Sequence, residues 1–411
     1  MGGARAGAGG PRISPRAGNL GRLLECLAPK PLSQTELAVA SGLSEATVSN
    51  LVKLLVRDRH VVLEHSVRNG RRANVVRLAA HRSSWVLGVD LARSWIRVGL
   101  MSSTDEILDA RAPIPHPCAY SEALETIGRL TRGLLAVRDP SSIDPVAGVV
   151  SVPGPVRRPE DDAAGRDLIP QGWHQTTNWG SVPLAHDIGE VVGVPVHADN
   201  DANLSALAEL HRGAAVDSRD FLFLSVDAGV GGALVLDGRI YRGATGMAGE
   251  FGHTVVEPHG RACWCGARGC LETLIGERAL LSALRTAEPA PHTVDDVVRA
   301  TLAGDGAHRA AVHEAGLAIG TFVAAVSTPL DLDLVVIGGA LARAETLLLD
   351  GVRAQLAHYL GRFRPYTIEV STARLGRDGP LYGALLAARE RQTDRDPLRI
   401  GGPRAEATTS P

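Results

Sequence analysis

Residues 253–272 read HTVVEPHGRACWCGARGCLE, a histidine, three cysteines within eight positions and a closing glutamate. His253, Cys263, Cys265 and Cys270 offer one imidazole and three thiolates, the donor set that suits tetrahedral zinc. Gly260, Gly266 and Gly269 let the intervening chain fold back so that the four donors can converge. Four protein ligands leave no open coordination position, so the expected role of Zn2+ is structural. Chemistry is left to residues that such a loop would hold, foremost Glu250 and Glu272, both of which could be aimed into a cleft. The remaining cysteines, Cys26 and Cys118, read as buried thiols. Clustering of three thiols beside a histidine in a chain without a secretory signature favours a metal site over a disulfide framework.

The chain has 411 residues, 45% hydrophobic and 21% charged, the composition of a soluble globular protein large enough for two or three domains. No uninterrupted apolar run approaches the roughly 20 residues that span a bilayer, so no membrane segment is expected. The N-terminus is basic but lacks the apolar core of a secretory signal, so a cytoplasmic location is expected. The net charge of −2 conceals an asymmetry: residues 1–82 carry 13 Lys+Arg against 5 Asp+Glu, and the rest carries 30 against 40. A small basic module therefore precedes a large acidic one, and the first is the part suited to a polyanion.

Four segments follow from the pattern. Residues 1–16, rich in Gly, Ala, Arg and Pro, read as a disordered tail. Residues 17–82 read as a winged helix: NLGRLLECLA is helical, and SQTELAVASGLSEATVSNLVKLLVRDRHVV holds two helices broken at Ser41-Gly42-Leu43. Ser33 with Glu36 forms a capping-box pattern, and Ser44 can cap the second helix. VVLEHSVRNGRRANVVRLAA alternates on both sides of Asn69-Gly70, a hairpin signal. Residues 83–391 alternate strands and helices, an α/β pattern of sheets covered by helices. No fixed-period repeat stands out. Residues 392–411, polar and Pro-rich, read as a flexible tail.

A basic winged helix points to a double-stranded DNA operator. Its second helix would enter the major groove, with Thr47, Ser49 and Asn50 near base edges and Lys53 near phosphate. Arg68, Arg71 and Arg72 on the wing would reach the backbone or the minor groove.

The longer segment 243–272, GATGMAGEFGHTVVEPHGRACWCGARGCLE, closely resembles the signature of the ROK family of repressors and sugar kinases. VPGPV at 152–156, VPVHADNDANLSALAE at 194–209, DAGVGGALVLDGRIYRG at 227–243 and VVIGGALARAETLLL at 335–349 follow in the family's order. The resemblance covers about residues 85–390. It implies an actin-like, ribonuclease H-like sugar-kinase fold of two lobes with a sugar cleft between them, preceded here by the winged helix of the family's repressor branch. It further implies sugar contacts at Asn200, Asp201, Glu250, His253 and Glu272, with Asp201 as catalytic base if the chain is a kinase. Asn178 is a looser candidate. Carboxylates and amides suit this task because they bind neighbouring hydroxyls in pairs.

The nucleotide motifs depart from the family pattern. Where the first phosphate loop reads DxGxT, this chain has DLARS: Asp90 remains, but Ala92 and Ser94 replace glycine and threonine. Where the second reads GTGxGxG, it has DAGVGGA, so Asp227 and Ala228 replace Gly-Thr, while Gly229, Gly231, Gly338 and Gly339 survive as vestiges of the site. A carboxylate about 6 Å from a phosphate costs roughly 3 kcal/mol per unit charge at an effective dielectric near 20, about a hundredfold in affinity; Mg2+ or nearby Arg93 could offset part of it. The expected function is a sugar-sensing DNA-binding repressor of carbohydrate genes, a homodimer or homotetramer. The alternative is an ATP- and Mg2+-dependent sugar kinase with an accessory DNA-binding domain.

Overall fold

A computed structural model describes residues 15–27, 30–57, 61–68, 71–78, 84–114, 118–137, 144–156, 179, 182–360 and 368–395. The chain divides into two compact units, one built on residues 1–84 with 142–144 and 390–411, the other on residues 85–141 and 145–389.

The first unit runs α1 (Pro15–Leu27), β1 (Leu32–Ser33), α2 (Gln34–Ser41), α3 (Glu45–Arg57), β2 (Val61–Arg68) and β3 (Arg71–Leu78). This order is that of a winged helix. Ser33 and Glu36 form the capping box expected of them, satisfying backbone donors at both ends of the first turn. Gly42, at φ 68°, takes the left-handed conformation that stops α2, and the Ser44 hydroxyl accepts the Thr47 N–H to start α3. Leu37, Val48, Val52, Leu55 and Val76 pack with Leu23 of α1 into one core. α1 begins two residues inside the expected N-terminal tail, because Pro15 is well suited to a first helical turn.

The second unit holds two five-stranded sheets. One is built from β4 (Ser84–Leu91), β5 (Trp95–Met101), β6 (Ile107–Pro113), β7 (Asp144–Val152) and β8 (Val196–Asn200); the other from β9 (Phe221–Val226), β10 (Val230–Leu236), β11 (Arg239–Tyr241), β12 (Leu334–Gly338) and β13 (Glu369–Thr372). The spatial orders are β6-β5-β4-β7-β8 and β11-β10-β9-β12-β13. Both sheets thus place their first strand centrally, with the second and third on one side and the fourth and fifth on the other. The chain uses one topology twice, although its sequence shows no repeat.

The helices are α4 (Tyr120–Leu135), α5 (Leu184–Val192), α6 (Asp201–Arg212), α7 (Glu272–Ile275), α8 (Glu277–Ala283), α9 (Val294–Leu302), α10 (Gly306–Leu330), α11 (Thr346–Leu360) and α12 (Gly379–Arg395). α12 extends four residues into the expected C-terminal tail. Among the described residues, α10 is the helix long and apolar enough, by length and composition, to cross a bilayer. Its apolar residues are instead spent within the lobe: Val312, Ile319, Phe322 and Val323 are buried in the core beneath the second sheet. α10 meets α11 backbone to backbone. A Cβ at Gly316 would lie 2.4 Å from the Leu348 carbonyl oxygen, and one at Gly351 would lie 2.6 Å from that of His313.

Candidate functional site

The four donors of the quoted stretch converge: the ligating atoms of His253, Cys263, Cys265 and Cys270 lie within 4.8 Å of one another. The chain reaches this arrangement through a tight hairpin. Cys263 N–H donates to the Ala267 carbonyl at 2.8 Å, Gly269 N–H to that of Arg261 at 2.8 Å, and Ala262 pairs with Arg268. Cys265 Sγ and Cys270 Sγ are 3.7 Å apart, and Cys263 Sγ is 3.6 Å from His253 Nδ1. A tetrahedron with Zn–S bonds of about 2.3 Å has edges of about 3.8 Å, so the spacing fits a metal held by four donors and is far too long for a disulfide.

The carboxylates form the next layer. Asn200 caps α6, its side-chain oxygen accepting the N–H groups of Ala202 and Asn203 at 3.0 and 3.1 Å. Its amide donates to the Gly154 carbonyl at 2.9 Å and to Asp201 Oδ1 at 3.1 Å, tying the end of β8 to the VPGPV turn after β7. Burial raises the Asp201 carboxyl to about 7, and the neighbouring charges of Asp90, Glu250 and Asp227 push the same way against the Ala202 N–H. Burial likewise lifts Asp90 to about 6, opposed by a Trp95 hydrogen bond and by Arg97. Glu250 is raised by burial and then by Glu272. Asn200, Asp201, Glu250 and Glu272 therefore belong to one acidic neighbourhood. His253 adjoins it through Trp264, whose ring stands edge-on to the imidazole at 4.7 Å while its indole N–H donates to Glu272 Oε1 at 2.8 Å.

The phosphate-loop residues meet here too. Asp90 lies next to the end of β4; Gly229 lies in the turn after β9 and Gly231 in β10; Gly338 ends β12 and Gly339 follows it. Gly339 has φ 79°, and a Cβ there would lie 2.3 Å from the Val226 carbonyl oxygen, so the two turns touch. Asp227 lies in the turn between β9 and β10, next to Ala228 and Gly229. Its carboxyl is raised by partial desolvation within the turn, against Arg377, which draws it down. Arg93, the cation expected to relieve Asp227, is instead 3.0 Å from Glu277.

Sequence reasoning missed four participants: Trp264, Arg377, the Gly154 carbonyl, and Arg242, which pairs with Asp199 one residue before Asn200. Trp264 stood inside the quoted motif, where its place between two ligands was the available signal.

On the first unit, Asn50 and Lys53 lie exposed one turn apart on α3, and Ser49 is half-buried beside them. The Thr47 hydroxyl is 2.8 Å from that of Ser44 and is engaged in starting the helix. In the β2–β3 hairpin, Arg68 pairs with Arg71 and Arg72 with Val67. Asn69-Gly70 and Asn178 lie outside the described residues.

Residues 86–391 match the ROK family, and residues 21–72 match the MarR family. The chain belongs to the ROK family, with that family's actin-like sugar-kinase fold behind a winged helix. The xylose repressor of Caldicellulosiruptor bescii is 28% identical over 363 residues, 83% of this chain and 88% of that protein. The N-acetylmannosamine kinase of Citrobacter koseri is 35% identical over 207 residues, 50% of this chain and 69% of that protein. The crystal structure of a ROK family transcriptional regulator, a homologue of the E. coli MLC protein, shares the fold with a TM-score of 0.64 at 23% identity, over 93% of this chain and 97% of that one.

Proposed function

We propose that the protein is a sugar-responsive DNA-binding repressor of carbohydrate genes, acting in the cytoplasm as a homodimer or homotetramer. The observation that carries this reading is the Asp227 carboxylate in the turn after β9, against which the Gly339 turn after β12 is packed, in a chain that also bears a basic winged helix. In a ROK kinase those turns would serve an anionic phosphate; a fixed carboxylate supplies the anion from within and repels ATP. The likeness to a named repressor over both parts of the chain supports the same reading.

In this proposal Asn200, Asp201, Glu250, His253 and Glu272 bind sugar hydroxyls. His253, Cys263, Cys265 and Cys270 hold a structural Zn2+ that fixes the hairpin and takes no part in bond making. Sugar binding in the cleft alters the spacing of two winged helices in the oligomer, and a dimeric reader depends on that spacing. Asn50 and Lys53 lead the DNA contacts, with Thr47, Ser49, Arg68, Arg71 and Arg72 around them. The test is selection of bound duplexes from a random pool by the zinc-loaded full-length protein. A two-fold symmetric site is expected, and its occupancy should respond to one of D-glucose, D-xylose or N-acetyl-D-mannosamine. No enrichment would defeat the repressor reading.

The second reading, a sugar kinase using ATP and Mg2+, is favoured by Asp201. A carboxyl held at about 7 on the first turn of α6 suits a general base at neutral pH. Sugar-dependent ADP release, abolished in Asp201→Asn, would promote it.

A further inference from the structure

Trp264 occupies the position between two metal donors, Cys263 and Cys265, in the hairpin closed by the Cys263 N–H on the Ala267 carbonyl. Its indole N–H reaches out of that hairpin to Glu272 Oε1 at 2.8 Å, while the second oxygen of the same carboxylate lies 3.4 Å from the Val230 N–H in the glycine turn. A carboxylate offers about four acceptor sites. Two protein donors therefore leave roughly two, in fixed directions, for hydroxyl groups. The ring also stands at 86° to His253, the residue shared by the metal cluster and the sugar site. Trp264 remains 48% exposed, so apolar burial does not account for its placement. Its firm contacts are with two residues of the sugar site.

We propose that Trp264 is a positioning residue for sugar recognition, its indole N–H holding Glu272 in the acceptor orientation and so making sugar affinity depend on the metal-ordered hairpin. The inference rests on the five-residue sugar site proposed above. A hydrogen bond to a charged acceptor is worth roughly tenfold or somewhat more in affinity, and a rotatable glutamate without it must be ordered by the sugar itself.

The test uses the zinc-loaded full chain. Trp264→Phe keeps an aromatic ring against His253 and removes only the donor. Zinc content and melting temperature should match wild type, while calorimetry with the tightest-binding sugar of the three-sugar panel should show about tenfold weaker binding. Adding Glu272→Gln to Trp264→Phe should cost less, by about the Trp264→Phe effect, than Glu272→Gln costs alone, because part of the Glu272 contribution depends on the indole contact. In the sugar-free protein the indole 15N–1H resonance of Trp264 should move on Glu272→Gln and on chelation of the metal, a readout that does not require the Phe variant to fold. Wild-type affinity in Trp264→Phe beside impaired Glu250→Gln would overturn this proposal alone, as would a Trp264 resonance indifferent to Glu272→Gln. Undiminished binding in both Glu250→Gln and Glu272→Gln, or binding of none of the three sugars, would sink the site reading and this proposal with it.

Discussion

Arg242 pairs with Asp199, a carboxylate that is almost fully buried and that also accepts the Asn200 N–H at 2.9 Å and the Asn203 amide at 3.3 Å. Arg242 opens the loop that leads to Glu250, closed by the Ala248 N–H on the Arg242 carbonyl at 3.2 Å. One ion pair thus joins the start of α6, with Asn200 and Asp201, to the segment bearing Glu250.

Replacing Arg242 by Gln should leave a buried carboxylate without its counter-charge. Removing one member of a buried pair costs about 3–5 kcal/mol, and the partial exposure of Arg242 places this case nearer about 2 kcal/mol. Urea unfolding should show the lower midpoint, and adding Asp199→Asn to the variant should recover part of the loss. An unchanged midpoint would remove the pair from any account of how the site is held.

Cys265→Ser deletes the exposed thiolate of the metal set. Elemental analysis should find zinc well below one per chain, and sugar affinity should fall as the hairpin loosens around Glu272. Metal content equal to wild type would refute the ligand assignment.

Asp201 gives a pH dependence of definite sign. Its carboxyl, ordinarily at 3.8, sits at about 7 in the folded protein, so the folded state holds the proton more tightly than the unfolded chain. Stability from this group is present at low pH and is lost as pH rises through the window between those values. Asp201→Asn cannot ionise. Its melting temperature should therefore match wild type near pH 4 and exceed it by several degrees near pH 8. A constant difference across that range would contradict the buried, carboxylate-crowded environment.

The DNA assignment predicts a salt slope. If Lys53, Arg68, Arg71 and Arg72 each neutralise a phosphate, log affinity should fall against log salt with a slope of about −4 per subunit. Replacing Arg71 and Arg72 by Ala should reduce that slope by about 2 while leaving the preferred sequence unchanged. A slope near zero would defeat the electrostatic reading of the winged helix.

Local chemistry was legible in the sequence, and long-range pairing was not. The capping box at Ser33 and Glu36 could be read because its partners are three residues apart. The Cys and His donors could be read because one hairpin holds most of them and zinc restricts ligand types. The approach of the Gly339 turn to Val226, beside Asp227, depends on β9 lying beside β12, a parallel pairing that no local spacing encodes. The Arg242–Asp199 pair is hidden for the same reason. The repeated strand order escaped notice because strand order is set by connections and buried faces, which many residue choices satisfy.

The glycine contact between α10 and α11 has a mechanical meaning. Where side chains separate two helices, rotamers can shift and absorb a displacement; where backbones touch at Gly316 and Gly351, no such cushion exists. The two helices behave as a stiff plate beneath the second sheet. The short helix α7, which follows the Cys-rich hairpin, packs onto α10 in the same core, through Ile275 and the cluster around Phe322.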